Sequence, residues 1–247
     1  MHSNIEANLP PTNEGYGTHE YWEERYAKES DGRTFDWFLS PSYLIPFFEE
    51  LTADIDTGKD ARILMLGCGN SALGEVLYDA GWKNIVNIDY SKIVIEQMQE
   101  RHAEKRPEMT WLEMDVMDLR FGENEFDLII DKGTMDAMLT TKGDPWNPPE
   151  KDVKACTQEV SEALRYDSFS ADIFVEPELT RYISSVLRKR PGSKFAYFTF
   201  GQPHFRKREY VHRYMQNRPN FTLTHREIGP PEGFAYFLYI LAYNAEA

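Results

Sequence analysis

Apolar residues first recur three and four positions apart, then collect in short unbroken runs, and this change of rhythm predicts the elements of the chain. Over His19 to Glu29 the helical spacing puts Trp22 and Tyr26 on one face. Ser40-Pro41, a cap residue followed by proline in the first turn, opens a second helix with an apolar stripe of Tyr43, Leu44, Phe47, Phe48 and Leu51. From Arg62 the texture changes to strands alternating with helices. Ile63 to Leu66 reads as a buried strand ending at glycine, Ser71 to Asp79 as a helix, and Asn84 to Ile88 as a second strand. Ser91 to Ala103 is helical, Met109 to Glu113 a third strand, Phe126 to Ile130 a fourth, and Lys151 to Arg165 an amphipathic helix. Lys194 to Phe200 is a fifth strand and His204 to Gln216 a helix, before a closing antiparallel pair at Phe221 to Glu227 and Phe234 to Tyr243. Such alternation predicts βαβ units in an α/β fold, with a mainly parallel sheet covered by helices on both faces. No internal repeat interrupts it.

A sheet of this kind binds ligands beyond the carboxyl ends of its strands, where the strand order reverses. The first strand ends in Gly67-Cys68-Gly69-Asn70-Ser71, where glycines permit a tight turn and the following helix offers free N–H groups. Asp89 stands at the end of the second strand, placed to grip two ribose hydroxyls. Asp115-Val116 ends the third, suited to an adenine edge. Together these point to an adenosine-containing cofactor. Each acid also has a purely structural role open to it: Asp89 as cap of the helix near Ser91, Asp115 as a turn former. Gly67 to Ala72 loosely satisfies a dinucleotide fingerprint, so spacing alone leaves NAD open.

Composition narrows the class. At 247 residues the chain suits one domain, residues 18–247, after a disordered polar tail over 1–17. Its longest apolar run, Phe234 to Tyr243, is far below the roughly 18 residues that cross a bilayer. The N-terminus lacks the layout of a signal peptide. Two cysteines, Cys68 and Cys156, are too few for a disulfide framework or a four-cysteine zinc site, and imply reduced thiols in a cytoplasmic protein. The six histidines are dispersed, so no metal site is expected. Against 27 Lys and Arg stand 41 Asp and Glu, a net charge of −14. Residues 1–165 hold 16 basic and 33 acidic side chains, whereas residues 166–247 carry a net +3. That balance disfavours nucleic acid and favours a basic partner, with ordinary solubility as the plainer reading.

Leu66-Gly67-Cys68-Gly69-Asn70-Ser71 followed by Asn87-Ile88-Asp89-Tyr90-Ser91 resembles a class I S-adenosylmethionine (SAM) methyltransferase. More narrowly, the chain resembles the methyltransferase domain associated with endothelin-converting enzyme two and its relatives, the lysine methyltransferases of elongation factor one-alpha. The likeness runs from about residue 19 to 243. It is carried by Tyr21-Trp22-Glu23-Glu24-Arg25-Tyr26, Phe35-Asp36-Trp37-Phe38, Met114-Asp115-Val116, Asp131 to Ala137, Asp144-Pro145-Trp146 and Pro203-His204-Phe205-Arg206. The resemblance implies a Rossmann-like seven-stranded class I methyltransferase sheet, mostly parallel with an antiparallel closing strand, and lid helices over residues 18–55. It also implies cofactor contacts from Trp22, Tyr26, Trp37, Gly67, Gly69, Asp89, Tyr90, Asp115, Val116 and Lys132, with aromatic faces on the sulfonium and, for Lys132, a contact through its backbone.

Two features depart from the pattern. Met65 stands where many class I enzymes carry an acid for the methionine ammonium, and sequence near 166–185 is inserted between Glu159-Val160-Ser161 and Pro191-Gly192. Within the insertion, Pro177 to Arg188 has helical character, as an ornament or part of a substrate cap. Asp131 is the expected catalytic residue, orienting the acceptor or taking its proton. The implied reaction is methylation of a lysine of a basic protein such as elongation factor one-alpha. The alternatives are a small-molecule methyltransferase and a catalytically silent SAM-binding adaptor.

Overall fold

A computed structural model describes residues 9–29, 32–142, 148–164, 186–206 and 220–244, with Phe205 and Arg206 described by backbone alone. Helices α1 (His19–Lys28) and α2 (Pro41–Thr52) precede the sheet. The order is then β1 (Ile63–Leu66), α3 (Leu73–Asp79), β2 (Ile85–Asp89), α4 (Lys92–His102), β3 (Thr110–Glu113), β4 (Leu128–Lys132), α5 (Thr134–Met138), α6 (Glu150–Leu164) and β5 (Lys194–Thr199). A short α7 (Pro203–Arg206) and the strands β6 (Phe221–Ile228) and β7 (Tyr236–Tyr243) follow.

The seven strands form one sheet in the order β3-β2-β1-β4-β5-β7-β6. All neighbours among the first five are parallel, and β7 inserts antiparallel between β5 and β6. Every residue of β1, β2 and β5 is buried, as strands covered on both faces require. One core layer joins α2, α3 and α4 to the sheet through Phe48, Leu77, Trp82 and Met98; the other, through Cys156, Val160 and Leu164 of α6, covers the opposite face. The chain leaves β1 toward β2 and β3, then returns to β4 on the other side of β1. The strand order therefore reverses between β1 and β4, with the crevice above their carboxyl ends.

The structure adjusts several sequence expectations. Residues 13–17, assigned to the disordered tail, form a 3₁₀ turn instead, because Tyr16 packs against Trp22 and Trp37. Pro41 takes the first-turn position as expected, but Ser40 makes no side-chain cap bond. Ser91 does cap α4, accepting from Val94 N at 3.4 Å. The fourth strand starts at Leu128, with Phe126 making an isolated parallel bridge to Leu187. The insertion near 166–185, the Asp144-Pro145-Trp146 segment and the expected helix beyond Arg206 lie outside the described residues. Among the described residues no helix is long and apolar enough to cross a membrane.

Candidate active site

Backbone geometry at the end of β1 builds the floor of the crevice. Gly67 and Gly69 both take the left-handed conformation, φ +53° and +51°, which L side chains rarely adopt. At Gly69 a Cβ would stand 2.7 Å from the Tyr26 hydroxyl, so the glycine also allows α1 to close over the turn.

Asp89 ends β2 almost fully buried, at 4% exposure. Its Oδ2 accepts from Gly69 N and its Oδ1 from Ser91 N, both at 2.9 Å. The helix cap is Ser91, not Asp89; Asp89 ties the glycine turn to the end of β2, and each of its oxygens keeps acceptor capacity. Burial pushes this carboxyl up to about 6, against the two backbone bonds, which pull it down. Beside it, the Tyr90 hydroxyl reaches Thr18 O at 3.4 Å and its ring meets His19 edge-on. Asp115 folds its own turn, Oδ1 accepting from Met117 N at 2.8 Å, while still lining the crevice with the buried Val116.

The residues before β1 form a strap across the opening. Trp22 and Tyr26 stack at 5.7 Å, Trp22 Nε1 donates to Tyr16 O at 2.7 Å, and Tyr16 meets Trp37 edge-on at 5.5 Å. Asp36 fastens the strap: it accepts from Ser71 Oγ and, at 3.1 Å, from Ala72 N, and it pairs with Lys132 at 3.3 Å. The Lys132 ammonium also donates to Trp37 O at 3.3 Å. Its side chain is therefore spent on holding the strap, while burial lowers its pKa and Asp36 opposes the shift. These elements enclose a cavity of about 840 Å³ at the strand-order reversal. All ten residues expected to touch a cofactor line it: Trp22, Tyr26, Trp37, Gly67, Gly69, Asp89, Tyr90, Asp115, Val116 and Lys132.

Asp131, the expected catalytic residue, is placed differently. It is fully buried and absent from the cavity wall. Its Oδ1 accepts from Thr134 N at 3.1 Å and its Oδ2 from Met135 N at 2.9 Å, so the carboxylate starts α5. Burial raises it to about 6, and burial beside Asp131 and Asp136 drives the Glu159 carboxyl well above the usual range. Asp136 lies in the same layer, accepting from Tyr197 Oη and Thr199 Oγ1. Asp131→Asn should therefore act on stability. An amide satisfies only one of the two N–H groups, offset by removal of a buried charge, for a net cost of about 1 kcal/mol. Turnover should fall less than about tenfold. Steady-state kinetics beside thermal denaturation checks this, and a hundredfold loss of turnover at unchanged stability would restore the catalytic role.

Arg25 was passed over in the sequence. It lies on the same helical face as Trp22 and Tyr26, is 5% exposed, and lines the cavity. Its guanidinium stands over the rings of Phe35, Trp22 and Trp37, at 4.6, 5.4 and 5.8 Å from their centroids. A protein cation thus sits over aromatic faces that the sequence had reserved for the sulfonium. The spacing Trp22, Arg25, Tyr26, Glu29 carried the signal, because positions three, four and seven apart share a helical face.

Comparison with known proteins gives concordant results. Residues 63–167 match a family model described as a methyltransferase domain. EEF1A lysine methyltransferase 4 of Mus musculus is 34% identical over 233 residues, covering 94% of this chain and 78% of the relative. Its Bos taurus counterpart is 32% identical over 238 residues, covering 96% and 80%. Among solved structures, magnesium protoporphyrin IX methyltransferase from Synechocystis PCC 6803 with bound SAM shares the fold at 10% identity. Its TM-score is 0.52, and the match covers 94% of this chain and 95% of that one.

Proposed function

Because the chain belongs to the eEF1A lysine methyltransferases, a group of class I SAM-dependent methyltransferases, we propose that it methylates a lysine of elongation factor 1-alpha. The observation that carries this reading is 34% identity to such an enzyme along 94% of the chain.

The cavity fits the cofactor. Its roughly 840 Å³ falls within the range of about 300–1,000 Å³ typical of small-molecule sites. The turn offers backbone where a Cβ would intrude, and Asp89 retains an acceptor on each oxygen. In this reading Asp89 takes the ribose hydroxyls, Asp115 and Val116 face the adenine, and Gly67 and Gly69 admit the backbone close to the ligand. Tyr90 flanks the ribose, while Trp22, Tyr26 and Trp37 enclose the methionine end. Lys132 serves by fixing Trp37. When bound, SAM supplies a methyl carbon activated by the adjoining sulfonium.

This chain's part is to align and to desolvate. A lysine must lose its proton before it can attack, and its unperturbed pKa is about 10.4. Burial of the acceptor in the cavity beside the Arg25 cation disfavours an ammonium and so lowers that value. The strap excludes water and narrows the acceptor's approach. The acidic surface, net −14, suits a basic protein substrate. Both cysteines are free, which supports a reducing, cytoplasmic setting.

The test is incubation with methyl-labelled SAM, purified elongation factor 1-alpha and a eukaryotic extract. One labelled protein is expected, with mass spectrometry placing the label on lysine. Label confined to small molecules would move the assignment to a small-molecule enzyme. SAM binding without transfer would leave a silent adaptor.

A further inference from the structure

The inner face of α1 presents Trp22, Arg25, Tyr26 and Glu29 at helical spacing, and burying a guanidinium there is costly unless its donors are used. Nε donates to Glu29 Oε1 at 3.0 Å, while Nη1 reaches only the Tyr21 hydroxyl at a long 3.5 Å. Nη2 has no acceptor among the described residues. Arg25 is 5% exposed, so its unused fork has only the cavity to face.

Its position is fixed from two sides. Three aromatic rings hold the guanidinium plane, and Glu29 Oε2 accepts at 3.0 Å from Nδ2 of Asn70, a residue of the glycine turn itself. The other cations of the wall are otherwise placed: Lys132 is spent on Asp36 and Trp37 O, and Lys151 is exposed on α6. Met65 offers the methionine ammonium no countercharge, which leaves the carboxylate as the charged group at that end that a cation of the wall can meet.

We propose that Arg25 receives the α-carboxylate at the methionine end of the cofactor, through the edge of the guanidinium that Glu29 leaves unused. A planar fork on a carboxylate is the strongest of the common charge-assisted contacts. This positioning contact rests on SAM being the cofactor, and is independent of which acceptor is methylated.

The experiment is calorimetric titration of the full chain with S-adenosylhomocysteine and with S-adenosyl-3-thiopropylamine, which lacks only the carboxylate. The wild-type protein should bind the first at least about tenfold more tightly. Arg25→Gln should weaken S-adenosylhomocysteine about tenfold or more, leave the decarboxylated ligand within about threefold, and so erase the discrimination. Arg25→Lys keeps the charge without the fork and should lose part of it, which decides the matter should the glutamine variant fail to fold. Equal weakening of both ligands, or of neither, would overturn the proposal and leave Arg25 as a brace for α1. A wild-type protein that binds neither ligand would overturn the cofactor reading itself, an outcome distinct from lost discrimination.

Discussion

Gly67→Ala is expected to cost about 3 kcal/mol of stability and to abolish measurable cofactor binding. The added Cβ would stand 2.2 Å from Thr134 Oγ1 and 2.7 Å from Thr134 Cγ2, at a backbone φ of +53°. Threonine is short and stiff at χ1, so its side chain cannot swing clear. Its hydroxyl is also committed to Leu66 O at 3.0 Å, and its N–H to Asp131. Relief must come from the turn, whose movement shifts Gly69 away from Asp89 Oδ2. The melting temperature should fall by about 8 °C for a chain of this length. Thr134→Ala in the same chain removes the two nearest atoms and should restore part of the stability, a coupling that a double-mutant cycle would measure. Additive losses would show that strain in the backbone, and not the contact with Thr134, sets the cost.

Asp89→Asn should weaken S-adenosylhomocysteine about a hundredfold or more. Both carboxylate oxygens already accept backbone N–H groups, from Gly69 and Ser91. An amide has one acceptor oxygen, so one of those N–H groups must face an NH₂, and one acceptor for the ribose hydroxyls is lost. The wild-type carboxyl, raised by burial from 3.8 to about 6, also dictates a pH response. Without ligand, protonation of Asp89 favours the folded state: that contribution is complete below about 3.8 and lost as the pH rises through about 6. Binding uses the ionised acceptor, so affinity should fall as the pH drops through about 6, and this dependence should vanish in Asp89→Asn. Titrations between pH 5 and 8 read both effects. A pH-independent wild-type affinity would take Asp89 out of the ribose contact.

Much of this arrangement was legible in the sequence for a physical reason. Parallel strands buried on both faces tend to near-continuous apolar runs, so Ile63 to Leu66 and Phe195 to Phe198 identify themselves. A glycine turn and acids at successive strand ends mark the crevice. What escaped depends on contacts between distant residues. The five residues of α5 are too few to show periodicity, and the helix starts because Asp131 accepts two of its N–H groups. Asp131 lies off the cavity wall: closeness to a strand end does not say which face a side chain takes. Neighbouring strand residues point to opposite faces, and here Lys132 turns to the strap while Asp131 turns toward α6. Helical spacing puts Arg25 on the face of Trp22 and Tyr26, but it does not show the rings of Phe35 and Trp37, brought in from the segment after α1, that complete its enclosure. Residues 13–17 carry a polar composition that suggests a tail, and it is the ring of Tyr16 that draws them onto the domain.

Among the described residues, every contributor to the cavity wall precedes residue 156, and β5, β7 and β6 supply none. The sheet is thus divided into a half that keeps a common currency and a half that carries no obligation to it. Substitutions along β6, at the outer edge beyond β7, leave the cavity wall untouched. The cavity wall and the β5-β7-β6 flank can therefore take substitutions independently of each other.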